Sequence, residues 1–317
     1  MSTDGFGGLK GWARRLAGER GQTMVIVAVM IILFVSMLVL VIDAGNVYAQ
    51  RRQTQNAADA GALAGARILA NGGSAADASA AVSNYVSGNG AALVSVSCSA
   101  AAGAITGTVT VVASKEFPTF FAGAIGIPRA NVQAAAQAIY GPPRELGNLM
   151  PIALSLDAYN NSKGGGTVRI WDSDQINEKT PAGTYDVYDG MRGWLYFGVK
   201  NCGTSTIENW IDNGYDGTVS VGQWINGKSG VKVPAITEFE VRKGDTVYVP
   251  IYDTWVKGKG QNDDDGFHIV SFAAFVVDGF VSKGNDKYVF GHFVSTIEAT
   301  SCCGTVDTGV HVVYLQR

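Results

Sequence analysis

The stretch GQWINGKS, Gly222 to Ser229, fits G-x-x-x-x-G-K-[ST], the spacing with which a glycine-rich loop wraps nucleotide phosphates in backbone N–H groups. Such a loop needs backbone that a phosphate can approach, and a following helix whose N-terminus receives the anion. Here Trp224 and Ile225 fill the loop and VKVP follows it, so a strand and turn is expected instead of a nucleotide site. Two acidic clusters, DSD from Asp172 to Asp174 and NDDDG from Asn262 to Gly266, offer carboxylate oxygens of the kind Ca²⁺ takes, but neither has the EF-hand spacing, and solvated turns are expected. His268, His292 and His311 are single histidines in strand-like runs, with no H-E-x-x-H or H-x-H pair, which points to packing and not to metal. There is no G-x-S-x-G elbow. No residue set supports catalysis, a metal or a cofactor, and the chain reads as a non-enzyme. With a formal net charge of -3 it also lacks the basic excess that drives phosphate-backbone binding, so nucleic acid is not an expected partner.

The remaining chemistry is that of four cysteines, Cys98, Cys202, Cys302 and Cys303. None lies in a C-x-x-C pair, which argues against zinc and dithiol redox chemistry. Adjacent cysteines rarely bond each other, so Cys302 and Cys303 are expected to face different partners. The expected disulfide joins Cys202 to one of them, with the place of Cys98 open; four buried reduced thiols are the alternative.

Which elements position these residues follows from the apolar pattern. Hydrophobic residues make up 47% of the chain and charged ones 16%, and much of that imbalance comes from one segment. TMVIVAVMIILFVSMLVLVI, residues 23–42, has no charge and no proline, and at 1.5 Å per residue it spans about 30 Å of hydrocarbon. It exceeds the apolar core of a signal peptide, and no good cleavage site follows. Lys10, Arg14, Arg15 and Arg20 precede it; Asp43 stands at its far end, with Arg51 and Arg52 beyond. The positive-inside rule places residues 1–22 in the cytoplasm and the bulk of the chain on the other side of the membrane, at the cell surface or in the periplasm.

Beyond the span the helix is predicted to run on to about Leu69 and to stop at NGG, residues 71–73. Ser74 can cap a second helix ending near Val86. LVSVSC and ITGTVTVVA alternate as half-buried strands, FPTFFAGAIGIP gives a compact aromatic helical turn, and NVQAAAQAIY gives a third strand. GPPRELGN, residues 141–148, reads as a linker. From Leu149 onward short strand-like runs, including TVRIW, WLYFGV, DTVYVPIY, HIVSFAAFVV, KYVFGHFV and GVHVVYL, alternate with Gly, Asp and Asn clusters, and one helix is expected around TSTIENWID. The fold class is α+β: a long N-terminal transmembrane and stalk helix with a small α+β unit over 43–141, then a mainly β domain over 149–317, sandwich or barrel-like.

One constellation in the stalk is distinctive. Gly61 and Gly65 form a G-x-x-x-G pair among Ala57, Ala58, Ala60, Ala62, Ala64 and Ala66, so the helix has almost no side-chain bulk there. Another element can approach closely. Ala57, Gly61 and Gly65 are expected to form a docking face, either for a partner helix or for the chain's own strands.

These residues resemble a known family. RGQTMVIVA, VIDAGNVYAQRRQTQNAADAGALAGARIL, FPTFFAGAIGI and NVQAAAQAIYG are similar to the TadE/TadG-like proteins of Tad (Flp, tight-adherence) pilus assembly, most closely the TadG-like members. The resemblance covers residues 20–141. It implies a non-enzymatic, membrane-anchored structural or assembly component of an adhesive pilus or related secretion machine. Its implied partners are pilus, pseudopilin or assembly-platform proteins, membrane lipid through residues 23–42, and a second copy of the chain. Gly21 is followed five residues later by Ile26, where pilins cut by prepilin peptidase carry Glu, which implies that the anchor is kept. The alternative is a surface adhesin or carbohydrate-binding module on a membrane anchor, reading sugars with Trp194, Trp210, Trp224 and Trp255.

Overall fold

The structure is a computed structural model, and it describes residues 8–99, 105–162, 166–172, 184–186, 192–198, 202–228, 237–256, 265–283 and 286–316. Helix α1 runs unbroken over Gly8–Ala70. Proline is absent from it, and Ala, Leu, Gln and Arg carry it past the apolar run. From Thr23 it is long and apolar enough to cross a membrane, and its large apolar side chains between Met24 and Ile42 stand open to the surroundings. The helix ends where the glycines predicted. Gly72 takes a left-handed φ of 79°, its N–H donates to Leu69 O (3.0 Å), and that of Gly73 donates to Ile68 O (2.9 Å). This bond pair satisfies carbonyls that the helix would otherwise leave orphaned. Helix α2, Ala75–Gly88, starts on a reciprocal cap: Ser74 Oγ accepts from Asp77 N while the Asp77 carboxylate accepts from Ser74 N.

A five-stranded sheet lies against these helices, in the order β1 (Ala92–Ser99), β2 (Gly107–Pro118), β3 (Arg129–Gly141), β15 (Val310–Gln316), β14 (Thr296–Glu298). The alternation of β2 and β3 turns Val109, Val111 and Ala113, with Ala136, Ala138 and Tyr140, toward Ala58, Ala62, Ala66 and Ala70 of α1 and Val82 and Val86 of α2. A four-residue 3-10 turn, Ala122–Ile125, forms in the aromatic segment between β2 and β3.

The second sheet follows from the region read as a β domain. Its strands are β4 (Glu145–Leu149), β5 (Ile152–Ser155), β6 (Thr167–Asp172), β7 (Thr184–Asp186), β8 (Arg192–Tyr196), β9 (Tyr215–Ser220), β10 (Trp224–Lys228), β11 (Thr246–Val256), β12 (Asp265–Lys283) and β13 (Asp286–Val294). β12 is the hub. Near its start it is paired on both edges, His268 standing opposite Trp224 of β10 and Thr254 of β11. The ladder from β12 through β10, β8, β5 and β11 returns to β12, closing a small barrel. The buried hydrophobic cluster built on this sheet includes Trp194, Phe239, Phe267, Phe272, Phe275, Leu149, Ile152 and Leu154. Closure removes open strand edges there. Helix α4, Thr204–Asn213, buries Ile207, Trp210 and Ile211 on this core, with Phe197 stacked on Tyr215 and edge-on to Trp210.

Three features differ from the sequence expectation. A short helix α3, Leu156–Ser162, forms after β5. The GPPRELGN segment is not all irregular: Glu145, Leu146 and Gly147 pair with Ser220, Val219 and Thr218, so its second half is strand β4. The strand over GVHVVYL does form, but it pairs antiparallel with β3, Val312 opposite Gly141 and Gln316 opposite Gln137. The segment leading to it is tied down on the way. Arg144 N donates to Ser301 O, Gly304 N to Pro142 O, Thr300 Oγ1 to Glu145 O, and the buried Ser271 and Thr308 hydroxyls bond each other.

Candidate functional site

The motifs that could have carried chemistry are dispersed. Gly222 sits at a left-handed φ of 88° in a turn, and Trp224–Lys228 is strand β10. A Cβ on Gly227 would come within 2.5 Å of both the Phe267 ring and Trp194 O, so this glycine serves close sheet packing and its backbone is not open to a phosphate. Ser229 and residues 231–234 lie outside the described residues, as do Ser173, Asp174 and Asn262 to Asp264. The histidines each pair with an aspartate: His268 Nδ1 with Asp253 at 2.7 Å, His292 Nδ1 with Asp278 at 3.1 Å, His311 Nε2 with Asp307 at 3.1 Å. Among the described residues no three His, Cys, Asp or Glu side chains gather where they could hold a metal ion.

The cysteines depart from expectation. The structure bonds Cys302 to Cys303, in place of the expected bond from one of them to Cys202. The two groups are placed apart: Cys302, in the segment between β14 and β15, bridges to Pro143 in the link from β3 to β4, while Cys202 is buried in the barrel-side core ahead of α4. Cys98 lies on β1, and burial pushes its thiol pKa up. The tryptophans divide as well. Trp194 and Trp210 are buried, and Trp224 and Trp255 are 40% and 37% exposed. Register puts Trp224 in the His268 row and Trp255 in the adjacent Phe267 row, so the exposed pair projects from opposite faces and makes no common platform.

On the stalk, the small-residue face is filled from within the chain. Ala57, Ala58, Ala62 and Ala66 are fully buried. A Cβ on Gly61 would stand 2.8 Å from Val86 Cγ2, and one on Gly65 would stand 2.8 Å from Val82 Cγ2 and 3.1 Å from Val109 Cγ1. Helix α2 and strand β2 therefore occupy the face offered by Ala57, Gly61 and Gly65, and no second helix has access to it. The physical reason is the one that made the pattern visible: without Cβ atoms the helices approach closely. The longest stretch of open stalk lies lower, over residues 44–53, where Val47, Tyr48, Arg51 and Arg52 are exposed, and Asn56 and Arg67 are exposed higher up.

That lower stalk is clasped by the head in a way the sequence did not reveal. Lys115 Nζ donates to Gln53 Oε1 (2.7 Å), Asn46 Nδ2 to Pro118 O (3.3 Å), and the Asp43 carboxylate accepts the N–H groups of Phe120 (2.9 Å), Phe121 (3.1 Å) and Ala122 (2.7 Å). Strand β2 thus descends antiparallel to α1, and β3 climbs away, with Ala135 O accepting from Gln55 Nε2 (3.0 Å). Asp43 had been legible only as the end of the apolar run; its partners lie 77 to 79 residues away, and no local pattern connects them.

Comparison with protein families matches residues 21–67 to the Tad model, described as Flp pilus-assembly TadE/G-like. The matched segment is the apolar half of α1 together with the stretch that α2 and the first sheet enclose. Comparisons with curated proteins and with solved structures return no match.

Proposed function

Taking residues 21–67 as the Tad-type pilus-assembly segment they match, we propose that the chain is a membrane-anchored, non-enzymatic structural or assembly component of a Flp-type adhesive pilus or related secretion machine. The observation that carries this reading is the division of one continuous helix. Its apolar half is exposed on all sides, as a lipid or helix-bundle contact must be, and its second half is sealed into a folded head. Residues 23–42 hold the protein in the membrane, residues 1–22 with their arginines lie in the cytoplasm, residues 43–141 form a pilin-like unit on the outer side, and residues 149–317 supply the β-rich part. Partner docking uses the span and the open stalk over 44–53 in place of the covered Ala57, Gly61 and Gly65 face. Pilus, pseudopilin or platform helices and a second copy of the chain suit that surface. A TadG-like member is the finer assignment, supported by Ile26 where a processed pilin carries Glu.

The test is a deletion strain complemented with either the full chain or a chain whose residues 24–42 are replaced by polyleucine. Full-length complementation should restore pili and attachment, and the polyleucine chain should reach the membrane without restoring them. Normal piliation in the uncomplemented deletion strain would refute the assignment. The adhesin reading draws on the exposure of Trp224 and Trp255; glycan-array binding by the detergent-solubilised chain that is lost in Trp224→Ala or Trp255→Ala would favour it.

A further inference from the structure

The tip of the β2 to β3 hairpin, residues 119–128, is an uncharged sequence, TFFAGAIGIP, with Phe120 68%, Phe121 41% and Ile127 53% exposed. Large apolar side chains concentrated at one tip mark an interaction surface more than chance exposure does. Its position says with what. The contacts between β2 and α1 step down the helix from Gln53 through Asn46 to Asp43, about 15 Å at 1.5 Å per residue, and the last of them lies one residue from the end of the apolar span. Thr119 closes the neck of the tip through its N–H to Pro128 O (3.1 Å) and its Oγ1 to Ile127 O (2.6 Å), and the Asp43 carboxylate fixes the tip's height. Immediately above the neck the first charges appear, Arg129 paired with Glu116 at 2.9 Å. The tip has no charged side chain of its own, the one carboxylate beside it, Asp43, is taken up by the tip's own N–H groups, and the other charges stand above the neck; at the end of a membrane span this is the polarity profile of the bilayer interface.

We propose that this hairpin tip is a second membrane contact, in which Phe120, Phe121 and Ile127 enter the headgroup layer of the leaflet at the Asp43 end of the span. The head is then held to the bilayer at two points, the helix and the tip. The inference rests on residues 23–42 being a membrane span, and the test separates the two claims. A benzophenone-bearing phenylalanine analogue is placed singly at Phe120, Ile127, Met37 or Tyr85 of the full-length chain, which is reconstituted in phosphatidylcholine and phosphatidylglycerol vesicles and irradiated. Met37 lies within the span, and Tyr85 is an exposed aromatic on α2. Lipid adducts are expected at Met37, Phe120 and Ile127, each about tenfold above Tyr85. Asp43→Ala should lower the Phe120 adduct severalfold and leave Met37 unchanged. An adduct at Met37 without one at Phe120 overturns the proposal alone; no adduct at Met37 overturns it together with the span. In native membranes, a crosslink from Phe120 to another polypeptide in place of lipid also overturns it, in favour of protein docking.

Discussion

Replacing Gly65 by Ala tests the claim that the glycines of the stalk exist to admit α2. Two opposing terms set the outcome. Alanine is the better helix former by about 1 kcal/mol in a helix interior, so at an unobstructed position the change stabilises. At residue 65 the new Cβ would lie 2.8 Å from Val82 Cγ2 and 3.1 Å from Val109 Cγ1, where ordinary contact begins near 3.4 Å by the standard of well-packed interiors. Val82 must retreat by about 0.6 Å and Val109 by about 0.3 Å inside a core that has no slack, and overpacking of this kind costs about 1–3 kcal/mol. The net expectation is a loss of about 0–2 kcal/mol, with Gly65→Leu well beyond it. Gly45 is the internal control: it is in the same helix and has nothing within 4 Å of a Cβ, so Gly45→Ala should show the propensity gain alone. The assay is thermal unfolding of the detergent-solubilised full chain followed by limited proteolysis of the head, where each kcal/mol moves the midpoint by about 2–4 °C. A double-mutant cycle with Val82→Ala adds a second criterion, because truncating Val82 should relieve most of the cost of Gly65→Ala and give coupling of about 1 kcal/mol. If Gly65→Ala raises the midpoint as much as Gly45→Ala does, or the cycle shows no coupling, the close-packing argument is wrong.

Three further outcomes follow from the same geometry. Removing residues 310–317 should strip β15 from β3, and hydrogen exchange at amides of β3 that face β15 should accelerate while β1 and β2 change less. Thr308→Ala removes a buried hydroxyl that donates to Phe272 O (2.6 Å) and pairs with Ser271 (2.7 Å), and should cost about 1–3 kcal/mol in a denaturant titration, with earlier protease cutting over 301–309. The phenols of Tyr159 and Tyr248 are both pushed up to about 12, first by burial and then by a nearby carboxylate, Asp307 for the former and Glu298, which accepts the Tyr248 hydroxyl, for the latter. Raised folded-state values mean stability that is complete below the unfolded value near 10 and is lost as pH rises toward 12. Alkaline titration should therefore show a steeper loss in that window for the parent chain than for Tyr248→Phe.

Where local pattern determined structure, the sequence was a good guide. The uncharged run, the glycine stop after Leu69, the Ser74 cap and the alternation in β2 and β3 are all properties of a few neighbouring residues, and each appears where its chemistry requires. Partnership was the hidden part. The period-two pattern of GVHVVYL predicts a strand but not that its neighbour is β3, some 170 residues earlier. Likewise the Gly61 and Gly65 spacing announces close approach without saying that α2 makes it. The closed barrel depends on β12 being paired along both edges, which no single strand's composition reveals. Adjacency argues against a bond between Cys302 and Cys303, yet the structure bonds them, in a segment held against Pro142, Arg144 and Glu145 by contacts that no local pattern announces. The clasp on Asp43 was beyond reach for the same reason.

The return of β15 to β3 also fixes an order of events. A chain emerging from the ribosome N-terminus first presents α1, α2 and β1 to β3 early, yet the free edge of β3 has no neighbour until residues 310–316 have been made. The sheet that packs on the anchoring helix is therefore among the last parts of the fold to be finished, and for the whole interval of synthesis it carries an open strand edge, the kind of surface that another chain can pair with. Anything that stalls translation between residues 141 and 310 leaves that edge exposed on a protein whose anchor is already complete, which makes late truncation a more hazardous event for this chain than its small share of lost residues would indicate.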